Sequence, residues 1–309
     1  MPRHPAALLL CIASLLLPAL ADAQGEAAMD PRSMGGGDCA KNALNCRDTP
    51  NPLPATDTVW LEQMTWMDVR DALAAGKRSV LIPTGGTEPN GPWVALGKHN
   101  VILQANCESI ARRLGKALCA PVIKHVPEGD IDPPTGHMRT PGTISLRDDT
   151  FRALLTDTAE SLIAGGFTEV LFIGDSGGNQ AGQQAVAEAL SRKYAGRARI
   201  FHVPAYYDYD AVIAHMAGKG LVEGKQEDLH DDAFTTLNMY VVDPESVRFN
   251  ARRTAGRASI NGVDLSDAAR NAELGRQIVE FRAAFTVESI QALRAQATAN
   301  RPGRKSARS

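Results

Sequence analysis

No Cys-x-x-Cys pair and no internal repeat occurs in the 309 residues, and beyond residue 20 no apolar stretch is long enough to cross a bilayer. The first absence argues against a cysteine-built zinc knot, the second against a solenoid or array, and the third against a membrane-spanning body. Charge of one sign is also lacking. The 33 lysines and arginines stand against 35 aspartates and glutamates, a formal net charge of -2, and basic residues cluster only in the last few positions. Such a surface has no electrostatic groove for nucleic acid.

The N-terminus carries Arg3, an apolar run over residues 6–20 broken by Pro18, and then Ala21-Asp22-Ala23. Basic start, apolar run and small-x-small site together read as a signal peptide over residues 1–23, which places the mature protein in the periplasm or outside the cell. About 285 residues would remain, near the upper limit of one hydrophobic core. Residues 24–56, rich in Gly, Pro, Asn and Asp, read as an extended lead-in, residues 57–290 as one folded domain, and residues 291–309 as a basic, disordered tail. Of the five cysteines, Cys11 would leave with the signal. Cys39 and Cys46 then suit a local disulfide in an oxidising compartment. Cys107 and Cys119 either pair or stay as buried thiols, and the thiol reading is preferred.

Within the domain, apolar runs alternate with helical periods. A short helix stopped by Gly76 precedes a strand at 79–82. A helix spaced by Leu103, Ile110 and Leu114 precedes a second strand at 121–126. A helix carrying Phe151, Leu155 and Leu162 precedes a third at 170–173, and another leads to a strand at 200–203. A further strand is expected at 237–242, and Leu274, Ile278, Phe281 and Phe285 mark a last amphipathic helix. The alternation predicts an α/β fold in which a mostly parallel sheet is covered by helices. Such sheets collect reactive side chains at their strand ends. Two polar segments stand there: Thr87-Glu88-Pro89-Asn90-Gly91-Pro92, running on to Leu96-Gly97-Lys98-His99, and Gly174-Asp175-Ser176-Gly177-Gly178-Asn179.

These segments, with Pro141-Gly142-Thr143-Ile144-Ser145-Leu146 and Gly165-Gly166-Phe167 between them, resemble the creatininase family in order and spacing over roughly residues 57–290. The resemblance implies a three-layer α/β/α creatininase-like fold, a metal site at the strand ends, hydrolysis of a linear or cyclic amide, and a homo-oligomer. The family's first motif is Thr-Glu-Gln-His-Gly-Pro-His followed by Leu-Gly-Thr-Asp. Here Glu88 is kept, Asn90 and Trp93 stand in place of the two histidines, and His99 in place of the Asp. Ser176 replaces the histidine of the family's Asn-Gly-His-Gly-Gly-Asn, and Ala233 falls on the Glu of its later His-Ala-Gly-Glu.

An imidazole cannot bridge two ions as a carboxylate does, so the expectation is one divalent ion, zinc or manganese, held by Glu88, His99, Asp175 and His230. Its water would attack a small amide, with Asp232 or His137 moving the proton and Asn90 and Asn179 orienting substrate or bracing loops. Two other readings stay open. Ser176 could be a metal-free nucleophile with His230 or His137 as base, or the chain could be a binding protein whose site has decayed. Gly174-Asp175-Ser176-Gly177-Gly178 also matches the nucleophile segment of trypsin-like proteases, but those are all-β. No Asp-x-x-His follows Ser176 to complete the esterase pattern that begins with Gly-Asp-Ser.

Overall fold

The computed structural model describes residues 38–299. Residues 38–54 belong to a small unit of their own, where Cys39 and Cys46 are joined as expected. Asn42 accepts from the Leu44 amide and starts a single 3-10 turn, Ala43–Asn45. The signal and residues 24–37 of the lead-in fall outside the described residues.

The second unit holds a four-stranded parallel sheet built from β1 (Ser79–Thr84), β2 (Ala117–Cys119), β3 (Glu169–Gly174) and β4 (Arg199–His202), in the order β2-β1-β3-β4. Val80, Leu81 and Ile82 of β1 and Val170, Leu171, Phe172 and Ile173 of β3 are all fully buried. Such unbroken apolar runs suit central strands covered on both faces. Each of these side chains contributes roughly 1.5–3 kcal/mol by leaving water. Helix α1 (Trp66–Ala74) starts on a capping box between Thr65 and Asp68. Helix α2 (Lys98–Leu114), which ends on a left-handed Gly115, packs against β1 and β2 and against the long α8 (Ala268–Ala299). On the sheet's other flank α3 (Asp148–Ala164) and α4 (Gly177–Lys193) pack together beside β3 and β4. The architecture is the three-layer α/β/α sandwich expected. Helices α5 (Tyr209–Ala217), α6 (Ala233–Tyr240) and α7 (Phe249–Thr254), then a hairpin of β5 (Ser259–Ile260) and β6 (Val263–Asp264), follow β4. No helix among the described residues is long and apolar enough to cross a membrane.

Several expectations need correction. The strand expected at 237–242 is the helix α6, whose Asp232 Oδ1 caps the Thr235 amide at 2.6 Å. Residues 233–239 are all buried, and a short segment buried all round shows no period that separates helix from strand. The second strand is shorter and earlier than 121–126, because only single bridges join Ile123 to Thr84 and Val126 to Ser145. Cys107 of α2 and Cys119 of β2 form a disulfide rather than two thiols. The basic tail begins later than residue 291: α8 runs to Ala299, with Ile290 buried and Arg294 donating to Glu169 Oε1 at 3.1 Å.

Candidate active site

The order in which strands are added reverses at β1, because β2 lies on one side of it and β3 on the other. The crevice beyond the carboxyl ends of such strands is where an open α/β sheet binds ligands. A cavity of about 950 Å³ opens there, lined among others by Glu88, Lys98, His99, Glu128, His137, Ser176 and His230. The end of β3 is held to β1 by the Asp175 amide on Thr84 O at 3.0 Å. Asn179 Nδ2 donates to Thr84 O and Gly85 O, both at 2.9 Å.

Below the cavity floor runs a line of alternating charge. Arg282 of α8 donates to Asp175 Oδ1 at 2.5 Å, and Asp175 Oδ2 lies 2.8 Å from His99 Nδ1. His99 Nε2 lies 2.9 Å from Glu88 Oε1, which is 3.0 Å from Lys98 Nζ. All five side chains are buried. Burial works against the charged imidazole of His99, but hydrogen bonds to Asp175 and Glu88 outweigh it and raise its pKa. Each ring nitrogen faces an oxygen of a carboxylate, so both are engaged. Burial likewise opposes the charge of Asp175, yet Arg282 and His99 hold its carboxyl below the usual range. Glu88 is lowered in the same way: burial opposes ionisation, and His99, Glu128 and Lys98 prevail.

Glu128 is the group that keeps its proton. Burial, then the adjoining Glu88 carboxylate, push it up to about 10. Ser176 Oγ donates to Glu128 Oε2 at 3.1 Å, while Glu128 Oε1 and Glu88 Oε2 are buried without a hydrogen-bond partner. Two glycines let Glu128 reach this place. A Cβ on Gly178 would lie 1.9 Å from Pro127 O, and one on Gly86 would lie 2.1 Å from Glu128 Oε1. Gly178 thus seats the Glu128 segment on the start of α4.

Two imidazoles complete the floor. His137 Nε2 stands 3.2 Å from Glu88 Oε2, and its ring stacks on His230 with centroids 4.9 Å apart. His230 has φ 56°, in the left-handed region that non-glycine residues seldom occupy and that clusters at functional sites. Its loop is braced by Asn261 Nδ2, which donates to Asp231 O at 2.9 Å and Glu223 Oε2 at 2.6 Å. Burial and the nearby Lys98 hold the His230 imidazole down to about 4, so it is neutral at pH 7. One ligand atom each from Glu88, His137 and His230 lie within 4.8 Å of one another, a group of the kind that holds a metal ion.

Of the four expected ligands, Glu88 and His230 stand in this group, while both nitrogens of His99 and both oxygens of Asp175 are committed elsewhere. His137, expected to move a proton, joins the donors instead. Asn90 and Asn179 are fully buried and brace loops: Asn90 Nδ2 donates to Asp231 Oδ1 at 3.2 Å and its Oδ1 accepts from Lys98 at 3.0 Å. Ser176 lines the cavity, but the partner of its hydroxyl is Glu128, not the His230 or His137 that a nucleophile would need. Asp232 also lines the cavity while capping α6. Glu128, Lys98 and Arg282 were missed. Only Lys98 adjoins a polar motif in a way that could have flagged it.

The family model described as creatinine amidohydrolase matches residues 62–290. The chain belongs to the creatininase family. The 3-dehydro-scyllo-inosose hydrolase of Thermotoga maritima is 28% identical over 151 residues, which are 48% of this chain and 42% of that protein. The chain thus matches less than half the length of that curated relative. A crystal structure of creatinine amidohydrolase is 22% identical, covers 80% of this chain and 100% of its own, and superposes with a TM-score of 0.54. A manganese creatininase is 21% identical over 78% of this chain and 99% of its own, with a TM-score of 0.53. Within the creatininase framework the donor set fits one divalent ion: a carboxylate with an unpartnered buried oxygen and two imidazoles face one another across the floor. It does not fit two. His99, in place of the motif's Asp, has no lone pair to spare, and Asn90 turns its oxygen to Lys98.

Proposed function

We propose that this protein is an exported hydrolase of small linear or cyclic amides that works with one divalent ion. The observation that carries the reading is the Glu88, His137 and His230 group on the floor of a cavity at the strand ends. Creatininase structures of zinc and of manganese type support either metal. Held by these three residues, the ion would lower the pKa of a bound water to about 7 and polarise a carbonyl.

The chain's own residues supply the rest. Hydrolysis adds water to the carbonyl carbon, breaks the C–N bond and needs a proton on the leaving nitrogen. Glu128 is protonated, lines the cavity and has an unpartnered Oε1, so it is placed to give that proton. Ser176 holds the other oxygen of Glu128 and fixes its orientation. The proton role assigned from sequence to Asp232 or His137 passes to Glu128. Tyr207, Tyr209 and Phe234 form one wall, with ring centroids 4.9 and 5.1 Å apart in succession, a surface suited to a flat substrate. The related hydrolases are named for creatinine and for an inosose, and the wall favours a small ring or planar amide.

Export is supported by the signal-like N-terminus and by the two disulfides, which suit an oxidising compartment. N-terminal sequencing of secreted material is expected to begin at Gln24. A homo-oligomer, supported by the family likeness, is read by light scattering. The test of the activity is turnover of a panel of cyclic and linear amides by zinc- or manganese-loaded protein. Glu128→Gln is expected to lose about 10²–10⁴ of the rate with metal content unchanged, the range typical of a lost general acid. Undiminished turnover by protein stripped of metal would refute the proposal.

A further inference from the structure

Lys98 is a charged side chain with almost no solvent contact, 1% exposed. Its Nζ is enclosed by Glu88 Oε1 and Asn90 Oδ1 at 3.0 Å each, His230 Nδ1 at 3.1 Å and Pro89 O at 3.5 Å. Three oxygens and an imidazole nitrogen around one point are the surroundings that a small cation requires, and here the cation is part of the chain. Two of the four belong to residues of the three-donor group. An imidazole ring has at most one lone pair to give. If Lys98 donates to His230 Nδ1, the remaining ring nitrogen carries the hydrogen and has no pair for a metal. The same oxygen of Glu88 that faces Lys98 also faces His99, so only Glu88 Oε2 is uncommitted.

We propose that Lys98 is a fixed internal cation that occupies a second cation position beside the three-donor group and competes with the divalent ion for Glu88 and His230. This deepens the one-ion reading above and rests on it. The consequence is a site that takes a single divalent ion, weakly, and only when His230 releases Lys98. The lysine thereby sets metal affinity without being a metal ligand, and it acts as a positioning residue for Glu88 and His230.

The test is manganese binding by the full chain, followed by electron paramagnetic resonance of free Mn²⁺ and by calorimetry, for wild type, Lys98→Met, Lys98→Gln and Lys98→Arg. Lys98→Met and Lys98→Gln are expected to bind Mn²⁺ at least tenfold more tightly than wild type, and Lys98→Arg, which keeps the charge, no more tightly. Circular dichroism identifies any variant that fails to fold. Two neutral variants are included so that one folded protein suffices. Equal or weaker Mn²⁺ binding in a folded neutral variant overturns the proposal. Uptake by a neutral variant with none by wild type supports Lys98 as the competing cation while removing the one-ion reading of the native protein. Two equivalents bound by wild type would overturn both.

Discussion

Arg282 offers the sharpest test of how the buried charges hold the site. Its guanidinium reaches from α8 to Asp175 Oδ1 at 2.5 Å, donates to Tyr206 O at 3.0 Å and lies 4.3 Å above the Tyr206 ring. Both side chains of the pair are essentially sealed from water. Arg282→Met keeps the apolar stem and removes the charge, so Asp175 is left with His99 as its one cationic partner. Breaking a buried pair from one side costs about 3–5 kcal/mol, because the desolvation of the remaining charge is no longer offset. In a chain of this size each kcal/mol lowers Tm by about 2–4 °C, so the expected fall is roughly 6–20 °C. Thermal and urea unfolding followed by circular dichroism read it. Arg112→Ala is the comparison: Arg112 bonds Glu108 at 2.8 Å on an exposed surface, where such pairs contribute about 0.3–0.5 kcal/mol. Adding Asp175→Asn to Arg282→Met is expected to recover part of the loss, since the orphaned charge disappears. A loss below about 1 kcal/mol for Arg282→Met, or a double variant less stable by the full sum of the two single losses, would show that the charges are not coupled as described.

Acid stability reports on a second cluster. Burial alone would raise Glu169, yet Arg294, Ser79 and Arg199 hold its carboxyl below the usual range. Its contribution is therefore complete above about pH 4.3, the unfolded value, and is lost as pH falls through the lower folded value; Glu169→Gln is expected to flatten the acid limb of the unfolding curve, and an unchanged limb counts against this. Gly178→Ala would bring a Cβ to 1.9 Å from Pro127 O. The strain is expected to cost about 1–3 kcal/mol and to displace Glu128, so that turnover falls further than stability accounts for; wild-type turnover in a folded variant would separate Glu128 from Gly178.

The layers of this fold were legible because its central strands β1 and β3 carry long apolar runs and its helices α2 and α3 carry clear periods. Strand ends β1 and β3 were flagged by Gly-rich polar runs, which is why Glu88, His99, Asp175 and Ser176 were found together. What could not be read is partnership over long separations. Arg282 lies in a helix whose apolar spacing conceals it, and its contact with Asp175 spans 107 positions. Glu128 follows a proline in a stretch that reads as the end of a strand, with nothing in its neighbours to distinguish it from a surface acid. The expected ligands divide for the same reason: His99 and Asp175 have the right chemistry for a metal, and only their proximity to each other, at 2.8 Å, shows that they are bonded to one another.

That internal bonding ties together the residues that stand where the family's motif residues would be. Arg282, Asp175, His99, Glu88 and Lys98 alternate in sign, beginning and ending on a cation, so the line carries one positive charge more than negative. Glu128 beside it holds its proton and adds none. Glu223, Asp231 and Asp232 line the same cavity, so this line is one part of the charge around the floor, held in a buried setting where fixed charges act strongly. The His and Asp positions of the family motif that now hold Asn90 and His99 are not simply vacated ligand sites. Asn90 turns its oxygen to Lys98 and His99 ties Glu88 to Asp175, so that positive charge which ions would bring is supplied in part by side chains of the protein itself.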